Sequence, residues 1–177
     1  QGWSDDAPSP QDGFAVAADL HTLLEVAGEA GPYVIVGHST GGVYSMIYAA
    51  QYPDEVVGMV LLDSSTPYQF TALPDFEGEY SMMRMMLGVM PSIARLGATQ
   101  LLPASAYSSL PEPAASQVRA LVTSPRQNRG VRDEATGLRS VFEQAKSLVT
   151  LDDRPLVVVT ATETANDTNG WSAAQAE

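Results

Sequence analysis

Apolar residues recur at helical spacing over residues 14–27, where Leu20, Leu23, Leu24 and Ala27 form an i, i+3, i+4, i+7 stripe and Gly28 offers a stop. Gly31-Pro32 breaks the chain before Tyr33-Val34-Ile35-Val36, a short run rich in β-branched residues that predicts a buried strand. After a turn over Gly37–Gly42, a second helical stripe follows in Val43, Met46, Ile47 and Ala50, ending before Pro53. Val56–Leu62 is apolar throughout and predicts another buried strand, closed by Asp63-Ser64-Ser65-Thr66-Pro67. Helix, strand, helix and strand in succession predict an α/β protein with a parallel sheet covered on both faces.

From about 68 to 150 the pattern changes. No strand is evident, and prolines at 74, 91, 103, 111, 113 and 125 are expected to cut the segment into short helical pieces. The longest covers roughly 130–148, with Val131, Ala135, Leu138, Phe142 and Ala145 on one face. Pro155–Thr160 returns to strand character, and Trp171–Glu177 opens a further helix. The organisation predicted is a core over 1–67, a helical cap inserted over 68–150, and a return to the core over 151–177.

Composition narrows the chemistry. The chain of 177 residues has 45 % hydrophobic and 17 % charged residues, enough to build a core. It has no cysteine, which removes disulfides and thiolate chemistry, and its only histidines are His21 and His38, which argues against a multi-histidine metal site. No metal or organic cofactor is expected. A net charge of −12 would repel nucleic-acid phosphates, so nucleic acid is not an expected partner. No apolar run approaches the roughly 20 residues of a membrane span. Gln1 stands where an initiator methionine would, implying sequence upstream. Compartment is therefore left open with the cytoplasm favoured, and oligomeric state is left open too.

One motif carries chemistry. Gly37-His38-Ser39-Thr40-Gly41 fits G-x-S-x-G, between a predicted strand and a predicted helix, with Gly42 beyond. A serine on so sharp a turn sits in a strained backbone conformation and needs small neighbours, here Gly37 and Gly41. The turn lifts its hydroxyl above the sheet, while the helix N-terminus turns backbone N–H groups and a positive dipole toward a developing oxyanion. A phosphate loop would need a G-K-[ST] ending, and the only lysine is Lys146.

With these residues the chain resembles the α/β-hydrolase superfamily, in its cap-bearing, esterase- and peptidase-like branch. Gly2-Trp3-Ser4-Asp5 resembles the loop after the fourth strand, Gly31–Gly42 the fifth strand and nucleophile elbow, Tyr48–Val56 the next helix end, and Arg154–Thr160 the seventh strand. The resemblance implies a partial α/β-hydrolase fold. It also implies a base histidine after an eighth strand, and earlier strands whose loop gives a second oxyanion donor. None of these is among the 177 residues, so the expectation is an internal part of a longer hydrolase, inactive by itself. His38, adjacent to Ser39, is expected to point away from the hydroxyl and to pack or bond locally. His21 is expected to be a packed or surface helix residue.

The resemblance assigns Ser39 as nucleophile and the Thr40 N–H as an oxyanion donor. The triad acid stays open among Asp63, Glu163 and Asp167. Asp63 ranks first because it ends a strand where such sheets place chemistry, although a cap over the Ser65 or Thr66 N–H is its ordinary use. Met82, Met83 and Met86 belong to a cluster that is equally readable as an apolar substrate pocket or as cap packing. The function implied is hydrolysis of small carboxylic esters or related acyl substrates through an acyl-enzyme. The alternatives are an acyltransferase and a non-catalytic ligand-binding homologue. A dehalogenase of this fold would carry a carboxylate where Ser39 stands.

Overall fold

The computed structural model describes residues 11–101 and 110–161. The Gly2–Asp5 loop and the helix expected from Trp171 lie outside them. Helices α1 (Gly13–Ala27), α2 (Thr40–Gln51), α3 (Gln69–Ala72), α4 (Phe76–Arg95), α5 (Ala114–Val122) and α6 (Pro125–Ala145) accompany strands β1 (Tyr33–His38), β2 (Val56–Leu62) and β3 (Leu156–Val159). The strands form one parallel sheet in the order β1-β2-β3. Val34 pairs with Gly58 and His38 with Leu62, while Met59 pairs with Leu156 and Leu62 with Val159. A long helical excursion thus separates two strands that lie side by side.

Local signals set the ends of α1. Asp12 caps it, its Oδ1 accepting the Ala15 N–H at 2.9 Å. Gly28 terminates it in the left-handed region at φ 71°, its N–H donating back to Glu25 and Leu24. Gln144 of α6 brackets the same end of the helix. Its Nε2 donates to Asp12 Oδ2 at 2.9 Å and its Oε1 accepts the Gly13 N–H at 2.8 Å.

The core gathers Val43, Ile47, Tyr48 and Ala49 of α2, Val56, Met59 and Leu61 of β2, and Val141, Phe142 and Ala145 of α6. The face of α1 turned toward it differs from the expected leucine stripe. Gly13 and Ala17 are buried, His21 and Leu24 partly so, and Leu20 and Leu23 are exposed. Close approach explains the choice: a Cβ on Gly13 would collide with Ile47, so only small residues fit there. The predicted cover on both sheet faces holds for one face. α2 packs against β1 and β2, whereas Val34, Val36 and Val57 are exposed and all four residues of β3 are about half exposed.

Of the prolines expected to cut the middle, Pro74, Pro111, Pro113 and Pro125 stand at helix boundaries, whereas Pro91 does not interrupt its helix. α4 runs 20 residues through Pro91, and α6 runs 21 from Pro125. Proline opens a helix readily at its first position, where no intrahelical donor is needed. Pro91 costs a hydrogen bond, but it is itself buried, on the helix face that also carries Tyr80 and Ala94, and burial of its ring offsets part of the loss.

By contact the described residues divide into two compact units, 11–77 with 137–161 and 78–136, the divisions falling inside α4 and α6. The first holds the sheet and core. Within the second, Tyr80 donates its hydroxyl to the buried Ala135 carbonyl at 2.9 Å, and Asn128 Nδ2 donates to the carbonyls of Val122 and Ser124.

Two carboxyls tie pH to stability in the first unit. The Ala15 N–H and then the Gln144 amide hold the Asp12 carboxyl below its ordinary 3.8. The Tyr48 hydroxyl, 2.5 Å from Glu55 Oε2, and then His21, 2.9 Å from Oε1, hold Glu55 below its ordinary 4.5. A carboxyl depressed in the folded state stabilises it above the unfolded pKa, and the contribution disappears as pH falls through the folded value. Urea midpoints should therefore hold from neutrality to about pH 5 and fall at lower pH. The fall should be shallower in Asp12→Asn and Glu55→Gln; an unchanged slope in both would remove these groups as its source.

Candidate active site

β1 ends at His38 and α2 begins at Thr40, so Ser39 alone makes the corner. Its backbone lies at φ 53° and ψ −130°, a region that glycine adopts readily and serine does not. Three backbone bonds hold it there. The Ser39 N–H donates to the Leu62 carbonyl at 3.2 Å, and the Ser39 carbonyl accepts from Gly42 at 3.1 Å and from Ser65 at 3.0 Å. The side chain is exposed and makes no capping bond to its own helix. A serine at a helix N-cap ordinarily caps; here the hydroxyl is presented outward instead.

Glycine is required at two places around the corner, one of them not the one anticipated. A Cβ on Gly37 would stand 2.5 Å from Gly42 Cα and 2.6 Å from Ser45 Oγ. A Cβ on Gly42 would overlap the Ser64 side chain. A Cβ on Gly41 would meet nothing within 4 Å, so the steric reason expected for Gly41 belongs to Gly42. The doubled glycine in the sequence carried that signal.

Thr40 is the first helical residue, so its N–H has no acceptor within α2, and no acidic side chain occupies the first turn. The corner therefore keeps the positive end of the helix dipole uncompensated beside Ser39.

Asp63 follows Leu62, the partner of His38, and so stands on the strand next to the corner at the same end of the sheet. Its backbone is left-handed at φ 43°, and its N–H donates to the Val159 carbonyl at 2.7 Å. The Ser65 N–H, which the carboxylate was expected to cap, goes to Ser39. The Asp63 Oδ1 accepts the Ala161 N–H at 3.4 Å. Asp63 thus links the ends of β2 and β3. Glu163 and Asp167 lie outside the described residues.

Neither histidine stands as a partner of Ser39. His38 is exposed, and among the described residues no hydrogen bond or ring contact involves its side chain; the local packing expected for it is not seen. His21 stacks on Tyr52 with ring centroids 4.3 Å apart and binds Glu55. Tyr52 closes the C-terminal end of α2 and Ser39 the N-terminal end. A helix of this length separates them by about 18 Å at 1.5 Å per residue.

Met82, Met83 and Met86, with Gly78, Glu79 and Leu87, line a hollow of about 540 Å³. All six residues belong to α4, and the three methionines are exposed. Ser64 and Ser65, in the turn expected to close β2, are both buried, which polar residues at a strand end do not by themselves signal. Buried Gln69 was missed as well; no pattern marked it.

A profile of the alpha/beta hydrolase fold matches residues 1–110, more than half of the chain and the whole of the strand–Ser39–helix corner. The chain belongs to the alpha/beta hydrolase family. Among curated relatives, an uncharacterised protein of Schizosaccharomyces pombe is 43 % identical over 65 residues, covering 37 % of this chain and 12 % of that protein. Lipase LipV of Mycobacterium tuberculosis is 52 % identical over 44 residues, 25 % of this chain and 16 % of the lipase. Two solved structures share the fold. A mutant form of a haloalkane dehalogenase of Agrobacterium tumefaciens matches with a TM-score of 0.59 at 13 % identity, over 90 % of this chain and 59 % of its own. A protein of Acinetobacter baumannii with a provisional lipase designation matches with a TM-score of 0.54 at 17 % identity, over 89 % and 62 %. The chain spans less than two thirds of the length of each of these proteins. The parallel order β1-β2-β3 with flanking helices is a partial alpha/beta-hydrolase fold, as the sequence implied.

Proposed function

We propose that the complete protein is a serine hydrolase of carboxylic esters and that Ser39 is its nucleophile. One observation carries this reading. Ser39 holds a glycine-like backbone conformation with its hydroxyl exposed and uncapped at a helix N-terminus. Such strain persists only where surrounding structure over-determines it, and it concentrates at reactive sites. The lipase name carried by a relative 52 % identical over 44 residues is consistent with an ester substrate.

In this reading Ser39 Oγ attacks the ester carbonyl carbon while a histidine of the complete protein takes its proton. The carbonyl oxygen becomes an oxyanion beside the Thr40 N–H. A donor of this kind supplies about 3 kcal/mol of transition-state stabilisation. Collapse breaks the bond to the alcohol, which leaves with the proton from the histidine and gives the acyl-Ser39 ester. Water, deprotonated by the same histidine, then releases the carboxylic acid and restores Ser39. Asp63 is first choice for the acid that orients this histidine, because it ends the strand beside the corner; Glu163 and Asp167 are the other choices. The helical segment 68–150 is taken as the cap insertion.

Active-site labelling tests the proposal. A fluorophosphonate phosphonylates a serine, with loss of fluoride, only where a base and an oxyanion site activate it. The full-length protein should be labelled, with the adduct on the peptide containing Ser39. An adduct on another serine, or labelling that persists in Ser39→Ala, refutes it.

A further inference from the structure

Five of the seven methionines fall within nine residues of α4, at 82, 83, 85, 86 and 90. Met82, Met83 and Met86 share one hollow with Glu79, and all four are exposed. Helical spacing explains the grouping. Met82 and Met83 precede Met86 by four and three residues, and Glu79 precedes those two by three and four. Side chains so spaced lie together on one side of a helix, with Cβ atoms about 5–6 Å apart. A methionine thioether on its rotatable bonds spans such a gap readily. Three sulfurs can therefore converge above one turn of α4.

The donor atoms select the ligand. Thioether sulfur is neutral, polarisable and soft, and it suits soft monovalent ions such as Cu(I), whereas hard divalent ions prefer oxygen. Among the described residues no group of three or more His, Asp or Glu side chains could hold a metal, so the donors that do gather are the soft ones. Local charge agrees. Among the described residues lining the hollow, Glu79 alone is charged. Arg84, the nearest basic residue in the sequence, lies over the Tyr80 ring, 5.6 Å from its centroid, and Tyr80 is buried on another side of the helix. A carboxylate with no guanidinium beside it in the hollow draws a cation there.

We propose that Met82, Met83 and Met86 bind a soft monovalent cation, Cu(I) or Ag(I), through their three thioether sulfurs, with Glu79 beside the site supplying negative charge. Binding transfers no electron, and the thioethers have no proton to release. The site does not depend on the chemistry assigned to Ser39, and it gives the hollow a ligand other than an acyl substrate.

Silver(I) is the probe for the test, since it shares the softness of Cu(I) without being oxidised in air. Full-length protein isotope-labelled at the methionine methyl groups is titrated with Ag(I) and followed by NMR. The methyl signals of Met82, Met83 and Met86 should move together, while Met85, which does not line the hollow, should stay in place. Zn(II) should move none of the four. Met86→Leu should lower the affinity read at the Met82 and Met83 methyls by about tenfold or more, because leucine keeps the apolar bulk and helix propensity but not the sulfur. Met85→Leu should leave that affinity unchanged, and Glu79→Gln should lower it by a smaller factor. Affinity should hold from about pH 7 to about pH 6, where a histidine site would weaken. These side chains are exposed, so the substitutions should leave the thermal transition in place; if Met86→Leu unfolds, the pattern of shifts in the unsubstituted protein decides. Unchanged affinity in Met86→Leu, movement of Met85 equal to that of the other three, or displacement of Ag(I) by Zn(II) would each overturn the proposal.

Discussion

Ser39→Ala should abolish ester hydrolysis by the complete protein, lowering kcat by about 10⁴-fold or more, while KM and the thermal transition change little. The size follows from the role. Removing a nucleophile leaves only binding and oxyanion stabilisation to act on attack by water. Stability is spared because the Ser39 side chain makes no capping bond and is exposed, while the backbone bonds to Leu62, Gly42 and Ser65 survive the change. Ser39→Gly separates function from fold. It should be equally inactive yet more stable by about 1 kcal/mol, since glycine tolerates φ 53° and ψ −130° where serine is strained. Steady-state hydrolysis of a short-chain ester and urea unfolding measure the two effects. Substantial activity in either variant would exclude Ser39 as nucleophile. A destabilised glycine variant would show that the corner is not strained by its side chain.

The part of this site legible in the sequence was the part fixed by local rules. The alternation of strand and helical patterns reported a parallel sheet, and G-x-S-x-G between them placed Ser39 at a corner, because steric demand is read from the few residues around it. What escaped depends on residues far apart in the chain. The inward face of α1 is Gly13, Ala17, His21 and Leu24 because Ile47 of α2 and Tyr52 just past its end stand close to it, and no periodicity in α1 alone reports that. A leucine stripe therefore pointed to the wrong side. Pro91 has the local signature of a helix end, but α4 continues through it with Pro91 buried on the same face as Tyr80 and Ala94. The methionines were ambiguous for a related reason. An apolar stripe predicts that something covers it without saying what, and here the opposite face of the same helix is the one covered.

Gly37→Ala and Gly41→Ala should behave as opposites, although both glycines belong to the same motif. A methyl on Gly37 would lie 2.5 Å from Gly42 Cα, 2.6 Å from Gly42 N and 2.6 Å from Ser45 Oγ. Two of those three atoms are backbone, and Ser45 is itself buried with its hydroxyl donated to the Gly41 carbonyl at 2.9 Å. The two backbone atoms cannot rotate away, so β1 and the start of α2 must separate. Overpacking of this kind costs about 3 kcal/mol. It would also move Ser39, which sits between the two clashing segments, and a displacement near 1 Å costs about 10²-fold in rate. At Gly41 the added methyl meets nothing within 4 Å, and the residue is already helical. Alanine there should be neutral or stabilising by up to about 1 kcal/mol, the ordinary advantage of alanine over glycine in a helix. Urea unfolding of the two variants, with fluorophosphonate labelling of each, checks the contrast. Similar stabilities would mean that the strand-to-helix corner is looser than these contacts require, and that Ser39 is not held by the close approach of Gly37 to Gly42.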